Sequence, residues 1–114
     1  MDPDKAQNVE IDETNFETEV RESKRPVLVA FLAPWSRPCH IILPVLDEVA
    51  AACAESIKIV KVNADDNPDL GVRYGVHSIP TLLCFVNGGE LGRIVGTVSK
   101  EAILAKLKPF MGTI

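Results

Sequence analysis

The sequence predicts an α/β domain with a central mixed β-sheet and helices on both of its faces. Three observations predict it. First, apolar runs rich in β-formers, at 27–32, 57–62 and 81–86, alternate with segments whose apolar residues recur at helical spacing. Strands that alternate with helices give parallel pairs covered on both sides. Second, Asn87-Gly88-Gly89 carries the residues of a tight hairpin turn, which adds an antiparallel strand at the end. Third, 114 residues without repeat, linker or low-complexity tract are enough for one domain and too few for two. Residues 1–8 are expected to be a flexible extension of that domain.

Each element has a local cause. Val9, Glu10 and Ile11 form a candidate short first strand. Thr14 followed by Glu17 has capping-box spacing, opening a short helix with Phe16 and Val20 one turn apart on its buried side. Pro26 stops anything helical before it. Residues 27–32, Val-Leu-Val-Ala-Phe-Leu, are continuously apolar, as in a strand buried on both faces. From Cys39 onward, Ile41, Ile42, Val45, Leu46, Val49, Ala50 and Cys53 recur at helical period. Pro44 lies inside this helix, removes the donor for the His40 carbonyl and predicts a kink. Ile57, Ile59, Val60 and Val62 make a strand interrupted by Lys58 and Lys61. Asn67-Pro68 starts a short helix that Gly71 and Gly75 keep brief. Residues 81–86 form another buried strand, and 90–95 return antiparallel to it. Ser99 caps a last helix that buries Ile103, Leu104 and Leu107, and Pro109 is expected to end it.

Composition removes several function classes. Twelve basic and sixteen acidic side chains give a formal charge of −4, with 46% hydrophobic and 25% charged residues, which is globular rather than disordered. The longest apolar run spans residues 27–33, far short of the ~20 residues of a membrane span. The first residues have neither a basic flank nor an apolar stretch, so no cleaved secretory signal is expected. No basic stripe offers phosphate contacts, which argues against nucleic acid or an anionic membrane as partner. Three cysteines without framework spacing argue against a disulfide-stapled secreted domain and for a reducing, cytoplasmic setting. No Cys or His spacing fits a metal site, no cofactor is implied, and His40 and His77 are expected at the surface. Cys53 lies fourteen residues beyond Cys39, roughly 21 Å along a helix, so the two cannot bridge. Cys84 reads as core packing between Leu83 and Phe85.

Trp35-Ser36-Arg37-Pro38-Cys39 stands between the first long strand and its helix. Here the chain resembles the thioredoxin family, whose active-site run at that junction is Trp-Cys-Gly-Pro-Cys. Pro44 corresponds to the family's helix proline, and Val60-Lys61-Val62-Asn63 to one of its strands. Ser78-Ile79-Pro80-Thr81 resembles its cis-proline loop, and Asn87-Gly88-Gly89 followed by Gly96 its hairpin and the glycine facing the active site. Five matches in register over about eighty residues are far more specific than any single motif. The resemblance implies a thioredoxin fold, a thiol–disulfide oxidoreductase class and a monomer. It also implies protein clients or disulfide-containing proteins as partners, with thioredoxin reductase a further candidate. Trp35, Pro38, Ile79, Pro80 and Gly96 match the family's apolar substrate groove, where an extended peptide pairs with backbone beside the cis-proline.

Two departures concern chemistry. Ser36 stands where the family has its first cysteine, and Ala30 where it has a buried aspartate. A dithiol cycle needs an exposed thiolate at a helix N-terminus to attack a substrate disulfide, and a second thiol to resolve the mixed disulfide. Cys39 keeps the resolving position; a serine hydroxyl with no evident base cannot take the first. Ser36 is better suited to capping the helix by accepting the Cys39 N–H, worth ~1 kcal/mol relative to alanine. Without the aspartate, Lys61 is expected to reach solvent or an acidic neighbour such as Asp65. Three functions remain open: a thioredoxin-like protein that has lost dithiol turnover and binds partners; an active thioredoxin whose nucleophile has been changed to Ser36; and a monothiol enzyme using Cys39 with glutathione.

Overall fold

The computed structural model describes residues 9–53 and 56–111; the expected extension at 1–8 lies outside them. Chain order is β1 (Val9–Ile11), a π-helical turn (Glu17–Arg21), β2 (Val27–Leu32), α1 (Arg37–Ala52), β3 (Lys58–Asn63), α2 (Pro68–Arg73), β4 (Thr81–Val86), β5 (Gly89–Val95) and α3 (Lys100–Met111). The five strands lie in the order β1-β3-β2-β4-β5. β1 and β2 run parallel to β3, whereas β4 is antiparallel to both β2 and β5, so the sheet is mixed.

Side-chain alternation divides the core in two. Leu28, Ala30, Ile59, Leu82 and Cys84 point to one face, where α1 and α3 cover them with Ile42, Leu46, Val49, Ile103 and Leu107. Val27, Val29, Phe31, Leu83 and Phe85 point to the other, where Phe16, Val20 and Leu70 pack. β2 and β4 are therefore buried on both faces, which is why neither shows polar alternation. Phe16, Tyr74 and Phe85 meet there as a cluster of rings with centroids 5.3–5.8 Å apart. The β4–β5 turn is Asn87-Gly88, with φ of +53° and +84°, as a two-residue hairpin requires.

Two local expectations change. Thr14 is not the cap of a capping box: its N–H and hydroxyl both donate to the Asp12 carboxylate, and the turn that follows has no side-chain cap. The Thr14 hydroxyl, and then its N–H, hold the exposed Asp12 carboxyl below its usual range. Asn67-Pro68 does start α2, with Asn67 at the N-cap position; its side-chain amide spans loops, accepting the Glu13 N–H and donating to the Asn63 carbonyl. Pro109 does not end α3, which runs to Met111. Packing of Phe110 on the core holds the last turn, and a proline there removes only one late donor.

Candidate functional site

The β2–α1 junction sets the geometry. Ser36 is the N-cap of α1, with extended backbone at φ −88° and ψ 119°, and its Oγ accepts the Cys39 N–H at 3.3 Å. Pro38 follows in the first turn, where a missing N–H costs nothing. Ser36 and Cys39 are both enclosed, 4% and 2% exposed. Trp35, one residue earlier, is 71% exposed.

Trp35 is held from a loop that sequence reasoning did not connect to it. Its Nε1–H donates to Asp65 Oδ2 at 2.8 Å, and the Asp65 N–H in turn donates to Asn63 Oδ1 at 2.9 Å. Asp65 thus serves the indole. Of the two alternatives expected for Lys61, the pairing with Asp65 is not formed: the side chain is half-buried, and among the described residues no ion pair includes it. Lys61 sits in register between Ala30 and Glu10 and lines a cavity of about 220 Å³ beside Leu32, Leu43 and Cys39. His40 is exposed, and its Nε2 lies 2.6 Å from the Pro34 carbonyl, bracing the turn before Trp35.

A second, larger depression of about 610 Å³ runs over the front of this junction. It is lined by Trp35, Ser36, Arg37 and Pro38 of the β2–α1 junction, by Val76, His77, Ser78 and Ile79 of the loop before β4, and by Asp65, Pro68 and Val72. The Ile79–Pro80 peptide is cis, and Pro80 lies buried behind Ile79. Gly96, at φ +89°, donates its N–H to the Pro80 carbonyl at 2.8 Å, so it fixes the loop from behind rather than lining the depression. Arg93 braces the same loop. Its guanidinium donates to the Tyr74 and Gly75 carbonyls at 2.7 and 3.2 Å and pairs with Glu90 at 2.7 Å. Of the residues singled out from the sequence, Trp35, Pro38, Ser36 and Ile79 therefore converge on one surface. Cys39 faces the smaller cavity, while Pro80 and Gly96 support the rim.

Cys53 and Cys84 stand apart from this surface, buried in the core, and all three cysteines are free thiols. Burial pushes the Cys84 thiol up to about 11 and raises that of Cys53. Among the described residues no cluster of His, Cys, Asp and Glu could hold a metal ion, and no helix is long and apolar enough to cross a membrane.

A strand-to-helix turn bearing Trp-Ser-Arg-Pro-Cys, opposite a cis-proline loop on a five-stranded mixed sheet, defines a thioredoxin-fold protein. Comparison with known proteins agrees. The Thioredoxin family model matches residues 7–109, nearly the whole chain. A thioredoxin of Pyropia yezoensis is 40% identical over 102 residues, covering 90% of this chain and 95% of its own length. Thioredoxin 1 of Synechococcus elongatus is 44% identical over 93 residues, 82% and 87% of the two chains. The chloroplastic M-type thioredoxin of Chlamydomonas reinhardtii is 40% identical over 101 residues, 89% and 72% of the two. The chain belongs to the thioredoxin family.

Proposed function

We propose that this protein docks protein clients, disulfide-bearing ones included, in the groove between Trp35 and Ile79, and does not turn over disulfides by a dithiol cycle. The observation that carries this reading is the state of residue 36. A buried hydroxyl spent on the Cys39 N–H holds the place from which a thiolate would attack, and oxygen there forms no bond equivalent to a disulfide. The surviving thiol supports the same reading, because Cys39 is nearly enclosed and a protein disulfide could not approach its sulfur without opening the helix start.

The docking half rests on the groove. Trp35 and Val72 expose apolar side chains beside the half-buried Val76 and Ile79, all four lining one depression. Among the described residues no hydrogen bond engages the Ile79 backbone, which leaves it open to an extended segment. Light scattering from a thermally unfolding client enzyme tests this. The unaltered chain should suppress aggregation at comparable concentrations, and Trp35→Ala with Ile79→Ala should weaken suppression at temperatures where the variant itself is still folded. Absence of suppression, with no change in Trp35 emission on adding client, would count against docking.

A further inference from the structure

β4 and β5 pair through a register shift: Phe85 faces Glu90 and Cys84 faces Gly92, so Leu91 is an extra residue in β5. In an unbroken strand, residues 90 and 93 point to opposite faces of the sheet. The extra residue brings them to one face, and their side chains meet there. Arg93 Nε donates to Glu90 Oε2 at 2.7 Å, and Nη2 donates to Oε1 at 2.9 Å. A guanidinium held by two such bonds has a fixed plane. From that plane Nη2 also donates to the Tyr74 carbonyl and Nη1 to the Gly75 carbonyl. Both carbonyls lie just past α2, where a helix end leaves acceptors without internal donors.

Gly75 leads directly into Val76, His77, Ser78 and Ile79, which line the groove. The far end of this segment is tied as well. The Thr81 hydroxyl donates to the Ser78 carbonyl at 2.6 Å, and the Gly96 N–H donates to the Pro80 carbonyl at 2.8 Å. Among the described residues, His77 and Ile79 make no backbone–backbone hydrogen bond of their own. Their placement therefore depends on how the two ends are held, and β5 supplies a hold at each, Arg93 and Gly96. Arg93 itself does not line the groove. We propose that Arg93, oriented by Glu90, is a positioning residue for client docking: it fixes the start of the 76–79 segment and so sets where Ile79 meets a client. This role rests on the docking reading above and adds to it a residue outside the groove.

Two readouts on the folded protein test it. Trp35 lies in the groove and is the chain's single tryptophan, so its fluorescence follows binding of a synthetic extended peptide rich in Val and Ile. Hydrogen exchange at the Val76 amide, which donates to the Gly71 carbonyl, follows the start of the segment. In Arg93→Ala the peptide should bind roughly 3–10-fold more weakly, and the Val76 amide should exchange about tenfold faster relative to the amides of β2. Arg93→Lys keeps the charge without the planar fork and should recover only part of the lost affinity. Glu90→Gln leaves Arg93 in place with a weaker hold and should weaken binding in the same direction, by less. A side chain that only stabilised the fold would lower the melting temperature and leave both readouts unmoved. Unchanged affinity in Arg93→Ala, or full recovery in Arg93→Lys, would overturn the proposal while leaving docking in place. If Arg93→Ala does not fold, unchanged affinity in Glu90→Gln would overturn it equally. No binding by the unaltered chain would remove docking and this role together.

Discussion

Ser36 bears on stability through the cap it makes and on the proposed function through its place at the start of α1. As the cap of α1 it satisfies one of the four N–H groups that a helix start leaves unpaired. Ser36→Ala should therefore lower unfolding free energy by about 1 kcal/mol in urea titration, and more if the orphaned Cys39 N–H stays buried. A change within a few tenths would show that the cap contributes nothing. Cys84 gives a second residue-level expectation. Burial holds its proton in the folded chain up to about 11, whereas the unfolded chain releases it near the ordinary thiol value. The neutral thiol is thus at no disadvantage below that value, and stability falls as pH rises from about 8.5 towards 11. Urea midpoints across this range should decline, with a shallower slope in Cys84→Ala; parallel slopes would assign the decline to other groups.

The elements brace one another at a few points where side-chain substitution has a sharp outcome. Gly88 lies in the hairpin at φ +84°, and a Cβ built on it would stand 2.9 Å from the Arg21 carbonyl oxygen. Gly88→Ala should cost ~1–3 kcal/mol, through left-handed strain and displacement of the π-helical turn from the hairpin. An unchanged urea midpoint would contradict that contact. Lys61 is the opposite case. It projects from β3 beside Ala30 and Glu10, without an ion pair among the described residues, so Lys61→Ala should shift stability by less than ~0.5 kcal/mol. A loss of several kcal/mol would reveal a buried pairing. These elements also show what sequence alone can and cannot supply. β2, β4 and the hairpin were legible because double-sided burial leaves unbroken apolar runs and because Asn-Gly suits positive φ. The role of Thr14 was not, because Asp12 competes for its donors at a range where several turns have the same spelling. Nor was the end of α3, where packing of Phe110 outweighs the proline signal.

At the scale of the molecule, the fold places a groove and a capped helix start on the same edge of the sheet. That Trp35, Ser36, Pro38 and Ile79 share one depression was legible in the sequence; how they are held there was not. Asp65 reaches Trp35 across thirty residues of chain, and Arg93 reaches the carbonyls of Tyr74 and Gly75 from β5, contacts that only the sheet order creates. Gly96 and Pro80 likewise act from behind the loop, since the Gly96 N–H holds the Pro80 carbonyl. On the reading proposed above, the groove is present while residue 36, the place from which a thiolate would attack, carries oxygen. Reduction of insulin disulfides by dithiothreitol, followed by turbidity, addresses this most directly. The unaltered protein should leave the uncatalysed rate unchanged, and Ser36→Cys should accelerate it strongly; rapid, repeated reduction by the unaltered protein would contradict the account.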